Sequence, residues 1–117
     1  MTTLQTRPLG RTGLSVTPLC VGTGELGDMV GVYGYRVPQD RAIATVLRAL
    51  KGPITFLDTS NGYGNGTSER RVGAALREAG GLPDGYVLAT KVDPDEIRSR
   101  RPIKSGSRQP ARRTVGL

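Results

Sequence analysis

The stretch Ile54-Thr-Phe-Leu-Asp58-Thr-Ser-Asn-Gly-Tyr63-Gly-Asn-Gly66-Thr-Ser68-Glu-Arg-Arg-Val-Gly-Ala-Ala-Leu76 decides how this chain folds. Residues 54–57 are a short apolar run rich in β-branched and aromatic side chains, which predicts a buried strand ending at Asp58-Thr59. A Gly-rich loop, 61–66, follows. Val72, Ala75, Leu76 and Ala79 then fall at helical spacing and predict the inward face of a helix. Ser68 suits its N-cap, and Glu69 suits the positive end of its dipole. Gly80-Gly81 stops it, and Pro83-Asp84-Gly85 reads as a turn.

The flanks repeat the pattern. Upstream, Ile43, Val46, Leu47 and Leu50 form one stripe, predicting a helix over Asp40–Lys51 with Asp40 as N-cap and Gly52-Pro53 as stop. Before it, Pro18-Leu-Cys-Val-Gly-Thr23 is an apolar run ended by glycine, suiting a buried strand in which Cys20 is a small core side chain. Downstream, Tyr86-Val-Leu-Ala-Thr90 predicts a third strand ending at Lys91. Strands alternating with helices imply an α/β fold with a parallel sheet. At the N-terminus, Leu9, Leu14 and Val16 with the intervening Gly10 and Gly13 fit two short strands joined by a turn.

Composition narrows the classes. The chain has 117 residues, 36% of them hydrophobic, with one Phe, no Trp and 17 Gly. That bounds it to a single domain with a thin core. The net charge of +7 is uneven: residues 1–93 carry ten basic and eight acidic side chains, residues 94–117 seven and two. The basic character therefore belongs mostly to 94–117, a segment with only four aliphatic residues larger than Ala, expected to be a disordered tail. Such an Arg/Ser/Pro/Gly-rich end after well-patterned α/β sequence suggests a lost reading frame. No known binding motif or aromatic–basic pattern supports a nucleic-acid-binding module. The single Cys20 rules out an internal disulfide, and no metal motif surrounds it. No apolar run reaches membrane-spanning length, and Met1-Thr2-Thr3 lacks signal-peptide character, so the expectation is a cytoplasmic protein without a membrane partner.

Residues 22–27, Gly-Thr-Gly-Glu-Leu-Gly, match a dinucleotide fingerprint literally. That fingerprint works only where a helix starts at the glycines and turns its N-terminus to the pyrophosphate. Gly31, Gly34 and Pro38 argue against a helix there, so 24–37 is read as a loop and the Rossmann assignment is rejected.

Asp58, Tyr63 and Lys91 are the candidate catalytic residues. Asp58 and Lys91 close adjacent parallel strands, and Tyr63 lies on the loop leaving the first of them. In a (β/α) barrel that rim hosts the active site. Carbonyl reduction suits them. Hydride arriving at a carbonyl carbon leaves an oxyanion that needs a proton, and a phenol can donate one. A lysine ammonium beside a phenol favours its phenolate, and a carboxylate beside the lysine keeps it charged and aimed.

Three segments resemble the aldo/keto reductase family: Arg7–Val16 its opening hairpin, Phe56–Leu76 its signature after the second strand, and Leu88-Ala-Thr-Lys-Val92 its third-strand motif. Bacterial sugar-dehydrogenase-like members are the most similar variety. The resemblance implies an N-terminal part of a (β/α)8 barrel over residues 1–93, followed by the basic tail 94–117. It implies NADP(H) or NAD(H) as cofactor and a small carbonyl or sugar substrate. By position, Tyr63 becomes the general acid, Lys91 its partner and Asp58 the lysine's anchor. Gly22, Thr23 and Asp58 fall at the nicotinamide end of the cofactor. Two features depart from the family. The chain has no His, which family members use as a fourth catalytic residue, and only three barrel strands are readable. The expectation is therefore an inactive truncated reductase or, alternatively, one half of a split enzyme completed by a complementary chain.

Overall fold

The computed structural model describes residues 3–92. The basic segment 94–117, its disorder and its reading frame lie outside the described residues. An antiparallel hairpin, β1 (Arg7–Pro8) and β2 (Ser15–Val16), opens the chain. Its turn is closed by the Leu9 amide donating to the Leu14 carbonyl at 2.9 Å and the Thr12 hydroxyl donating to the Leu9 carbonyl at 2.6 Å. The remainder alternates: β3 (Val21–Gly22), a one-turn 3-10 helix (Glu25–Gly27), α1 (Val30–Tyr33), α2 (Gln39–Ala49), β4 (Phe56–Asp58), α3 (Thr67–Ala79) and β5 (Val87–Ala89). The three later strands form one parallel sheet in the order β3-β4-β5.

Register sorts the side chains into two layers. Val21, Leu57 and Leu88 are partners across the sheet, and so are Gly22, Asp58 and Ala89. Successive strand residues face opposite sides, so the first row faces the helices and the second faces away. On the helix side Leu57 is wholly buried among Ala42, Val46 and Leu50 of α2 and Val72 and Ala75 of α3. The stripe expected for α2 is present, with Ala42 as an additional buried member; in α3, Val72 and Ala75 are buried but Ala79 is exposed. At the end of α3, Gly80 takes φ 85°, and the amides of Gly80 and Gly81 donate to the carbonyls of Arg77 and Leu76. This is the left-handed cap that a β-carbon would penalise.

Several expectations need correction. Helix α2 starts at Gln39 after Pro38, without a side-chain cap, and Asp40 lies inside its first turn. Proline fixes the entry geometry without needing a donor. Ser68 is likewise inside α3, whose N-cap is Gly66, because its hydroxyl has a tertiary use described below. Cys20 is exposed, since Pro18, Leu19 and Cys20 precede the paired part of β3. The segment 24–37 is not all loop: α1 makes one helical turn, ended by Gly34 at φ 79°. It remains too short to present a helix N-terminus to a dinucleotide, in line with the rejected fingerprint.

That segment is tied at its base. The buried Arg71 on α3 donates through Nη1 to the carbonyls of Leu26 at 2.8 Å and Val37 at 2.9 Å. Asp28 accepts from the Val37 amide at 3.2 Å and from Arg36 at 3.0 Å. Arg71→Met removes two charge-assisted bonds and strands both carbonyls, while relieving the desolvation of an uncompensated cation. The first effect is the larger, and a loss of about 1–3 kcal/mol is expected. Urea unfolding checks this, and amide exchange should accelerate selectively over residues 26–37. Among the described residues no helix is long and apolar enough to cross a membrane.

Candidate active site

The parallel strands end at a common rim, and the chemistry-bearing side chains collect there. The ammonium of Lys91, just beyond β5, donates to Asp58 Oδ2 at 2.6 Å, to the Thr59 carbonyl at 2.9 Å and to the Tyr63 hydroxyl at 3.3 Å. An ammonium has three protons, and these three acceptors use them all. The nitrogen also lies 4.9 Å from the Tyr63 ring centroid, within cation–π range. The site is open rather than enclosed: the Lys91 side chain is 48% exposed and that of Asp58 32%.

Tyr63 reaches this position because its loop is pinned. The Tyr63 amide donates to the Ser60 carbonyl, and its own carbonyl accepts from the Ser68 amide at 3.1 Å as α3 begins. Gly27 and Gly64 then bring two loops together backbone to backbone. A β-carbon on Gly27 would stand 2.8 Å from the Tyr63 carbonyl carbon. Gly27 belongs to the rejected fingerprint 22–27 and Gly64 to the Gly-rich loop 61–66, and their close approach is visible only in the structure.

Electrostatics follow from this geometry. Burial by itself would lower the Lys91 pKa, but the hydrogen bonds it donates to Asp58 and Tyr63, with the Coulombic attraction of both, outweigh it and raise the pKa above the usual lysine value. A group whose folded pKa is raised stabilises the fold below its unfolded pKa, and that stabilisation disappears as pH climbs through the folded value. The full chain should therefore lose stability above about pH 10 more steeply than its Lys91→Met variant. Denaturation midpoints across pH 8–12 would expose a failure as parallel curves. Cys20 lies near enough to feel the same groups: partial burial and then Asp58 raise its thiol pKa, and Lys91 partly opposes them.

The residues expected at the nicotinamide end separate. Gly22 pairs with Asp58, is exposed, and has nothing within 4 Å of where a β-carbon would project. Thr23 is fully buried on the helix side. Its amide and hydroxyl both donate to the Asp58 carbonyl, at 3.0 Å each, and its carbonyl accepts from Ser68. Thr23 thus has its polar groups engaged within the protein, whereas Gly22 and Asp58 border open space. Among the described residues no group of His, Cys, Asp and Glu could hold a metal ion.

Comparison with known proteins finds relatives of the chain. The Aldo/keto reductase family profile matches residues 18–115. L-Galactose dehydrogenase of Arabidopsis thaliana is 38% identical over 91 residues, covering 78% of this chain and 27% of that protein. Pyridoxal 4-dehydrogenase of Microbacterium luteolum is 41% identical over 88 residues, covering 74% and 23%. The chain thus spans about a quarter of the length of these relatives. Among solved structures, a Pseudomonas aeruginosa protein assigned to the aldo-keto reductases superposes with a TM-score of 0.58 at 42% identity, covering 77% of this chain and 34% of its own. The glycerol dehydrogenase of Gluconobacter oxydans gives 0.50 at 26% identity, covering 74% and 25%. With its profile match and its superposition on part of a solved relative, the chain belongs to the aldo/keto reductase family.

Proposed function

We propose that residues 3–92 are the opening strands of a (β/α)8 barrel and carry the proton-transfer part of its active site, in an NAD(P)H-dependent oxidoreductase acting on a carbonyl or the matching alcohol. The observation that carries this reading is the Lys91 ammonium held between the Asp58 carboxylate and the Tyr63 hydroxyl. Because the Tyr63 oxygen accepts from Lys91, its own proton points elsewhere and is free for a substrate oxygen. As negative charge builds on that oxygen, the phenol donates, and the ammonium 3.3 Å away stabilises the phenolate left behind. Asp58 holds the ammonium against solvent drift. In the oxidative direction the same atoms run in reverse, with the phenolate accepting the alcohol proton.

The cofactor, when bound, supplies or accepts the hydride. Gly22 and Asp58 fit its nicotinamide end, since both border open space at the rim and Gly22 has no side chain to obstruct a flat ring. The names of the relatives, with a galactose, a pyridoxal and a glycerol dehydrogenase among them, favour a hydroxylated or carbonyl-bearing small molecule. The edges β3 and β5 are where further strands of the barrel would add, from the same polypeptide or from a complementary one. Turnover is assigned to that completed barrel.

A chimaera tests the reading. Residues 3–92 replace the corresponding segment of the Pseudomonas aeruginosa relative, and oxidation of NADPH or NADH is followed with a panel of aldehydes. Activity above the cofactor-only background is expected. A folded, cofactor-binding chimaera that reduces none of them would contradict the proposal.

A further inference from the structure

Three hydroxyls lie immediately beneath the site, and the chemistry described so far does not use them. Thr23 and Ser68 are fully buried and Thr59 is 3% exposed. Ser68 Oγ donates to the Thr23 carbonyl at 2.7 Å and stands 2.9 Å from Thr23 Oγ1. Thr23 Oγ1 donates to the Asp58 carbonyl at 3.0 Å. Thr59 Oγ1 and Ser68 Oγ are 3.2 Å apart. Each hydroxyl has one proton. The protons of Thr23 and Ser68 are committed to the Asp58 and Thr23 carbonyls, so Thr59 must be the donor to Ser68. The result is a directed set of bonds: Thr59, just beyond β4, donates to Ser68 on α3; Ser68 donates to the backbone carbonyl of Thr23, just beyond β3; and the Thr23 hydroxyl donates back to the Asp58 carbonyl at the end of β4.

This chain begins and ends on the two residues that hold Lys91. The Asp58 carboxylate and the Thr59 carbonyl are two of the ammonium's three acceptors. The peptide linking them is fixed from below by Thr23 and Thr59, and the amide of Thr59 is further held by the Ala89 carbonyl at 2.9 Å. Ser68 also connects the relay to Tyr63, because its amide donates to the Tyr63 carbonyl. One buried serine thus holds the Tyr63 backbone directly and the Asp58–Thr59 backbone through Thr23 and Thr59.

We propose that Thr23, Ser68 and Thr59 are positioning residues, forming a buried hydroxyl relay that sets the Asp58–Thr59 backbone and thereby the distance from the Lys91 ammonium to the Tyr63 hydroxyl. The proposal rests on the reading of Lys91 and Tyr63 as a proton-transfer pair, but its test does not need turnover. A purely structural role for the three hydroxyls predicts loss of stability only. Positioning predicts a specific change at an ammonium to which none of them is bonded.

The test is a carbon-13 NMR titration of the Lys91 side chain in the full 117-residue chain, which has only three lysines, 51, 91 and 104. The Lys91 signal is identified by its loss in Lys91→Arg. Asp58, Tyr63 and Cys20 are the titratable groups facing it and stay unchanged in every variant. Ser68→Ala and Thr23→Val should shift the Lys91 titration down toward that of a lysine in an unstructured peptide. Thr23→Ser, which keeps the hydroxyl, should restore it. Val72→Ala, a core truncation that leaves the hydroxyls intact, should leave it in place. An unshifted Lys91 in folded Ser68→Ala, or equal shifts in Thr23→Ser and Thr23→Val, would overturn the proposal. The wild type offers a check that no folding defect can obscure: the Thr23 and Ser68 hydroxyl protons should exchange slowly with solvent, and fast exchange of both would also overturn it. Absence of turnover in the chimaera alongside a shifted Lys91 would sink the functional reading and leave the relay standing.

Discussion

Tyr63→Phe in the chimaeric barrel is expected to lower kcat by about 10²–10⁴-fold while leaving cofactor affinity within about twofold. The substitution deletes one oxygen and keeps the ring, so packing and the cation–π contact with Lys91 survive. What disappears is the phenol oxygen hydrogen-bonded to the ammonium. Loss of one positioned proton donor corresponds to about 3–5 kcal/mol of transition-state stabilisation. Lys91→Met should produce a loss of similar order, because an unassisted phenol is a poor donor near neutral pH. Steady-state kinetics with a saturating aldehyde and a separate fluorescence titration of NADPH would distinguish the two effects. Retention of most of the activity by Tyr63→Phe would remove Tyr63 from the mechanism.

Gly64→Ala should be the most damaging small substitution in the described residues. Gly64 has φ 63°, a conformation that costs an L-residue roughly 1–2 kcal/mol. Its new β-carbon would also be driven into the Gly27 carbonyl oxygen, a backbone atom that cannot rotate aside. Overpacking of this kind adds about 1–3 kcal/mol. Against the ~5–15 kcal/mol that holds an ordinary domain together, the sum is a large fraction. The cooperative urea transition should move to much lower concentration or vanish. Gly22→Ala is the matched control, since its β-carbon meets nothing within 4 Å, and its effect should stay within about 0.5 kcal/mol. A Gly64→Ala chain that unfolds like the wild type would mean the two loops do not meet as described.

The parts of the fold readable from sequence are those governed by local periodicity. The stripe Ile43, Val46, Leu47, Leu50 and the run 54–57 each announce their element because burial on one side imposes a spacing. Asp58 and Lys91 were legible for a related reason: polar residues that end apolar strands of a parallel sheet emerge at one rim. The rest depends on partners far away in the chain. Ser68 has the sequence look of a helix cap, but its acceptor is the carbonyl of Thr23, 45 residues earlier. Family position puts Thr23 near the nicotinamide end, and the strand's twofold alternation turns its side chain to the helix layer. Cys20 sits in an apolar run that predicts burial, yet the run begins before the pairing of β3 does. Arg71 has no place in the apolar stripe of its helix, yet it is buried with two loop carbonyls as its acceptors. None of these long-range pairings leaves a periodic trace.

The placement of Tyr63 against Lys91 can be measured without any enzymatic assay. A nuclear Overhauser spectrum of the full chain, labelled on the Lys91 side chain, should show cross-peaks from its ε-protons to the Tyr63 ring and lose them in Tyr63→Ala. Cross-peaks from the Lys91 ε-protons to residues of the hairpin or the outer helix surfaces, with none to Tyr63, would contradict the account.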